Sequence, residues 1–126
     1  MTHVVDASVL LAYFLGEPGG DVLSQRDRLY QMSIINLAEV FTKAIERGAM
    51  VDDVTTCVND LQIRIRAFGE DQAIEQARLR PLTAHLGLSF GDRACLALAR
   101  QADMPVLTAD RKWSDLDIGI DIIQIR

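Results

Sequence analysis

An α/β domain with a mostly parallel sheet is the fold class this sequence predicts, and three features carry the prediction. Short apolar runs at His3–Val5 and Pro105–Thr108 each lead closely into an aspartate, Asp6 and Asp110. Segments between those runs carry apolar residues at helical spacing. Gly and Pro residues punctuate the chain at intervals that suit single strands and helices in alternation.

The elements follow in order. His3–Val5 reads as a strand, and Val9, Leu10, Tyr13 and Phe14 as the apolar positions of the helix after it. Gly16 to Gly20 breaks the pattern, and a short helix is expected over Val22–Leu29. Tyr30–Ser33 is expected as a brief strand. Over Ile34–Arg47 the residues Leu37, Val40, Phe41, Ala44 and Ile45 share one helical face, with Gly48 at the expected C-cap. Asp52–Leu61 suits a helix. The alternation Ile63-Arg64-Ile65-Arg66 has the period of a strand with one wetter face, as at a sheet edge. Glu70–Arg80 reads as helix, with Pro81 and Gly87 as breaks. From Ser89 onward, Ala94 to Ala99 are apolar on nearly every side, the mark of a central helix. Pro105–Thr108 is then a strand, Asp110–Leu116 a turn of helix, and Ile120–Ile125 a last strand.

At 126 residues the chain is expected to form one domain, 1–126. No apolar run approaches the roughly 20 residues that span a bilayer, and the first residues lack the order of a signal peptide. A soluble, cytoplasmic protein with no membrane partner is expected. Cys57 and Cys95 form no CxxC pair and are expected to be buried or half-buried thiols. His3 and His85 are the only histidines, too few for the usual zinc site or histidine-based triad. A net charge of -5 argues against a broadly basic surface for nucleic acid.

Acids hold the chemical interest. Asp6 and Asp110 leave the carboxyl ends of strands, where open α/β sheets bind ligands. Glu39 and Asp92, on helices, are placed to point into the same crevice. Four carboxylates crowd together only around a positive charge, and hard oxygen ligands suit Mg²⁺ or Mn²⁺. Such a site activates water and stabilises a leaving oxygen, so hydrolysis of a nucleic-acid backbone is the expected chemistry. Arg93, Arg111 and Lys112, each near one of the acids, are candidates for holding flanking phosphates.

Each acid also has a purely structural reading. Asp6 and Asp110 precede helices and suit N-caps, and Ser89 with Asp92 suits a capping box. Glu39 stands four residues before Lys43, the favourable order for a surface ion pair. Asp92 is the hardest to explain in this way, because it opens the most apolar helix of the chain. Trp113 is better read as packing a short helix onto the sheet than as a base-stacking ring, and the stripe of Leu37, Phe41 and Ile45 better as core than as a groove. Gly87-Leu88-Ser89-Phe90-Gly91 formally matches a G-x-S-x-G nucleophile elbow, but no histidine follows Ser89 and no clear strand precedes it. A phospho-acceptor receiver domain would need paired acids after the first strand, where Asp6 stands alone.

Four segments together resemble the PIN-domain nucleases, and among them the VapC-type toxins. They are Val4-Val5-Asp6-Ala7-Ser8, Asn36-Leu37-Ala38-Glu39-Val40, Gly87 to Ala99 with Ser89-Phe90-Gly91-Asp92-Arg93 inside it, and Val106-Leu107-Thr108-Ala109-Asp110. The resemblance implies a three-layer α/β/α sandwich around the parallel sheet and Mg²⁺- or Mn²⁺-dependent cleavage of RNA. It also implies a cognate antitoxin as partner and usually a homodimer. By position, Asp6, Glu39, Asp92 and Asp110 take the family's catalytic and metal-binding roles, and Ser8 and Thr108 resemble the hydroxyl residues that order the site. One departure concerns the acid that many relatives carry two residues after the last strand-end aspartate, where this chain has Lys112. A non-catalytic binding module of the same fold is the main rival reading.

Overall fold

The computed structural model describes residues 1–126. The chain runs β1 (Thr2–Val5), α1 (Ala7–Leu15), β2 (Leu29–Ser33), α2 (Ile34–Glu46), α3 (Val51–Asp60), β3 (Arg64–Arg66), α4 (Glu70–Thr83), α5 (Phe90–Ala102), β4 (Val106–Thr108) and β5 (Ile122–Gln124). The five strands form one sheet in the order β3-β2-β1-β4-β5, and every neighbouring pair is parallel. β3 is indeed an edge strand.

Side chains alternate across this sheet and so build two cores. Val5 and Leu107 face a cluster with Val9 and Leu10 of α1, Leu37 and Val40 of α2, and Val54 and Val58 of α3. Val4 and Val106 face the other way, onto Leu79 of α4, Leu96 and Leu98 of α5, and Trp113. The sheet is therefore the middle layer of an α/β/α sandwich. Strand order reverses direction at β1, whose two neighbours are β2 and β4. That junction is the topological switch point, where the loops leaving adjacent strand ends diverge and open a crevice.

Local chemistry fixes the helix starts. Ser33 caps α2 by accepting from the Ile35 amide at 3.2 Å. Ser89 and Asp92 form the reciprocal capping box of α5. Gly16 ends α1 in the left-handed conformation.

Three expectations are corrected. The helix expected over Val22–Leu29 is a shorter 3-10 turn, Gly20–Ser24, with Leu29 already in β2; too few apolar positions are buried there to extend it. Pro81 does not stop α4, which continues to Thr83. Only the carbonyl of Ala77 loses its amide partner, and both residues are exposed, so that carbonyl stays open to solvent. The apolar stripe of α2 is only partly core, because Ile45 is 49% exposed and Phe41 half-buried.

Candidate active site

Asp6 anchors the site. The residue follows β1 directly and lies across from Thr108, since Val5 pairs with Leu107 in the parallel register. The Ser8 hydroxyl donates to its Oδ1 at 2.6 Å, the Val9 amide to the same oxygen at 3.2 Å, and the Thr108 hydroxyl to Oδ2 at 2.6 Å. Asp6 is thus both an N-cap and the best-ordered carboxylate of the chain. Burial lifts its pKa from 3.8 to about 6, against these three hydrogen bonds, which favour the charged form; the charge of Asp92 raises it further. Asp6 and Asp92 are therefore electrostatic neighbours. Cys95, fully buried, feels both acids, and burial first, then their charges, hold its thiol well above the ordinary range.

Thr108 couples two of the acids. While donating to Asp6, its oxygen accepts from the Asp110 amide at 3.0 Å. Asp110 then caps the turn Arg111–Asp115 through the Lys112 amide at 3.0 Å, and Gln124 of β5 holds the Asp110 carbonyl at 2.8 Å. Trp113 is fully buried in the second core and pins that turn, so its role is packing. Ser8 ties in the same loop by accepting from the Ala109 amide at 2.9 Å.

Glu39 reaches the site from α2. A Cβ placed on Gly91 would stand 3.2 Å from Glu39 Oε1, so this carboxylate lies against the first turn of α5, beside Asp92. Asn36 holds the two helices in that relation by donating from Nδ2 to the Gly91 carbonyl at 3.0 Å. A crevice of about 350 Å³ opens between α1 and α2, with Ser8, Glu39, Lys43 and Arg47 among its lining residues.

The structural readings of the acids hold as well. Asp92 Oδ2 accepts from the Ser89 amide at 2.9 Å, and Glu39 Oε2 pairs with Lys43 at 3.4 Å. No three acids, histidines or cysteines are drawn together tightly enough to form a ready metal cage. The reason is visible in the bonds just given: each of Glu39, Asp92 and Asp110 turns one oxygen towards its own helix or turn. In each, the other oxygen accepts no hydrogen bond from the protein. Carboxylate oxygens are the donors that suit a hard divalent cation, but no three of these acids are grouped to hold one as they stand.

Of the candidate phosphate-binding residues, Arg111 and Lys112 are exposed beside Asp110. Arg93 is half-buried and donates to Gln76 Oε1 at 2.8 Å and to the Gln76 carbonyl at 3.4 Å, so it braces α5 against α4. Asn36 and Gln124 were not singled out from the sequence. Asn36 carried a signal, a polar residue four before Val40 on the buried face of α2; Gln124 carried none, because its role depends on the turn at Asp110.

Replacing Thr108 with valine removes the hydroxyl that serves both Asp6 and the Asp110 amide while keeping the volume. A buried acceptor and donor then lose their partner, and Thr108→Val is expected to lower stability by about 2 kcal/mol in urea unfolding. An unchanged midpoint would mean that the hydroxyl bridge contributes nothing.

The PIN-domain family model matches residues 3–119 of the chain, and the chain belongs to that family. Among solved structures, a toxin–antitoxin complex from Klebsiella pneumoniae matches with a TM-score of 0.75 at 18% identity, over 98% of both chains. VapBC-5 of Mycobacterium tuberculosis, a member of the VapBC family of toxin–antitoxin systems, matches at 25% identity with a TM-score of 0.63, over 99% of this chain and 98% of that one. VapC20 of the same organism, a sarcin–ricin-loop-cleaving toxin, matches at 12% identity with a TM-score of 0.71, over 96% and 99%. No curated protein matches the chain in sequence. No helix is long and apolar enough to cross a membrane.

Proposed function

We propose that the protein is a Mg²⁺- or Mn²⁺-dependent endoribonuclease and the toxin of a type II toxin–antitoxin pair. The observation that carries the reading is Asp6, a carboxylate buried at the switch point of the sheet, with the charge of Asp92 acting on it and Asp110 tied to it through Thr108. Burial still raises the Asp6 pKa against its three hydrogen bonds, and a cationic ligand would offset that cost. The oxygens of these four residues would hold the ion, which when bound neutralises their charge and acts as a Lewis acid in phosphodiester hydrolysis.

The chain's own contribution is orientation and charge. Ser8 and Thr108 fix both oxygens of Asp6, and a pKa of about 6 lets that carboxyl lose its proton near neutral pH. Arg111 and Lys112 are free to hold phosphates on one side of the cut. The likeness to toxin–antitoxin complexes supports an antitoxin partner, and one carrying a basic side chain would compete for the acids. The likeness to a sarcin–ricin-loop-cleaving toxin supports action on RNA, and a homodimer working in the cytoplasm completes the proposal.

The test is cleavage of a mixed RNA pool by the purified protein with Mg²⁺, with Mn²⁺ and with EDTA, alongside Asp92→Asn. The expected result is metal-dependent cutting that the variant loses. Cutting that persists in EDTA would overturn the metal mechanism, and metal-bound protein that cuts no RNA would favour a non-catalytic module.

Gly91→Ala probes the same site from its rim. Alanine favours the helix by about 1 kcal/mol, yet its methyl crowds Glu39 Oε1 at 3.2 Å. Equal or higher thermal stability with several-fold weaker Mn²⁺ binding is expected; unchanged binding would remove Glu39 from the donor set.

A further inference from the structure

Phe90 is out of place for a residue with only a structural role. It opens α5, where the cap is already supplied by Ser89 and Asp92, and its side chain stays 45% exposed. Burial in that helix begins only at Ala94. Phe68, half-buried in the loop after β3, meets it edge to face, with ring centroids 5.6 Å apart and planes at 78°. Both rings lie at the carboxyl edge of the sheet, the edge where the acids gather. Between Phe90 and Asp92 stands only Gly91, whose Cβ position is 3.2 Å from Glu39 Oε1.

We propose that the Phe68–Phe90 pair is a stacking subsite for one unpaired nucleobase of the RNA substrate, on the rim of the carboxylate site. The inference rests on the nuclease reading and deepens it. Cations for phosphates are few beside the acids: Arg111 and Lys112 are exposed next to Asp110, while Arg93 is engaged by Gln76. Aromatic faces supply affinity without charge and accept any base. The chain neighbours of the two rings, Gly69, Ser89, Gly91 and Asp92, are small or polar, which suits a stacked base and its polar backbone better than the apolar face of a protein partner.

The probe is a fluorescein-labelled 12-nucleotide single-stranded RNA of mixed sequence, compared with the same oligomer lacking its bases. Binding is followed by stopped-flow anisotropy with Mg²⁺ and read before turnover. Wild-type protein is expected to prefer the base-bearing RNA by about tenfold. Phe90→Leu, which keeps an apolar side chain of similar size, should lose that preference, and Phe90→Trp should retain it; matching melting temperatures establish that both are folded. Wild-type protein that binds both oligomers equally would overturn the subsite, leave the nuclease reading intact, and return the rings to a protein contact. Retained preference in Phe90→Leu would also overturn it. Failure of the wild-type protein to bind either RNA would overturn the subsite and the nuclease reading together.

Discussion

Asp6→Asn is expected to lower cleavage steeply and, in the metal-free protein above pH 7, to make the fold more stable. The two effects have one cause. Asp6 is 4% exposed, and burial raises its carboxyl from 3.8 to about 6. Folded protein therefore binds the Asp6 proton more tightly than unfolded protein does. Below about pH 4 both forms are protonated, and Asp6 costs nothing through its charge. As pH rises from 4 to 6 the unfolded chain loses the proton first, stability falls, and above pH 6 the full cost of about 3 kcal/mol is in place. Asparagine carries no charge to bury, though it must exchange one accepted hydrogen bond for a donated one, so a net gain of about 1 to 2 kcal/mol is expected at pH 8 in EDTA. The gain should shrink towards pH 4. Cleavage should fall about a hundredfold or more, since even supporting residues around a metal are worth 10- to 100-fold. Urea unfolding between pH 4 and 8 checks the first effect. A variant less stable than wild type at pH 8 would mean that Asp6 is held by its hydrogen bonds alone and carries no stored cost.

Gly20→Ala is expected to cause a large loss of stability for so small a substitution. A Cβ at this position would stand 2.3 Å from the Tyr13 amide nitrogen and 2.4 Å from the Ala12 carbonyl carbon. Both are backbone atoms inside α1 and cannot swing aside, so the turn after α1 must lift from the helix. The cost is about 3 kcal/mol or more, or a melting temperature lower by about 10 °C. Gly48→Ala is the natural comparison. Gly48 has φ 88° but no atom within 4 Å of its Cβ position, so only the backbone conformation is penalised, by about 1 kcal/mol. Equal losses at the two positions would refute the close approach of the turn to α1.

The strand ends were legible in the sequence because the chemistry is local: an apolar run that stops at Asp6 or just before Asp110 has few other uses. The same holds for Ser89 and Asp92, whose capping box is a matter of spacing. The order of the strands is non-local, and the sequence placed only Ile63–Arg66, at a sheet edge. Asn36 and Gln124 act on backbone carbonyls of distant segments, Gly91 and Asp110, and such contacts leave little trace in periodicity. The Phe68–Phe90 pair depends on how the loop after β3 folds back towards α5. Arg93 is a candidate phosphate ligand only by its place beside Asp92; successive helical residues face different ways, and its side chain turns to Gln76.

Whether the four carboxylates bind a divalent ion is measured most directly by thermal unfolding at pH 8 with and without Mn²⁺. A ligand that binds only the folded chain must raise its melting temperature, by an amount that grows with concentration. Wild-type protein is expected to gain several degrees at millimolar Mn²⁺, and Asp6→Asn and Asp92→Asn to gain little despite being folded. Equal gains in all three proteins, or none in wild type, would contradict the metal site.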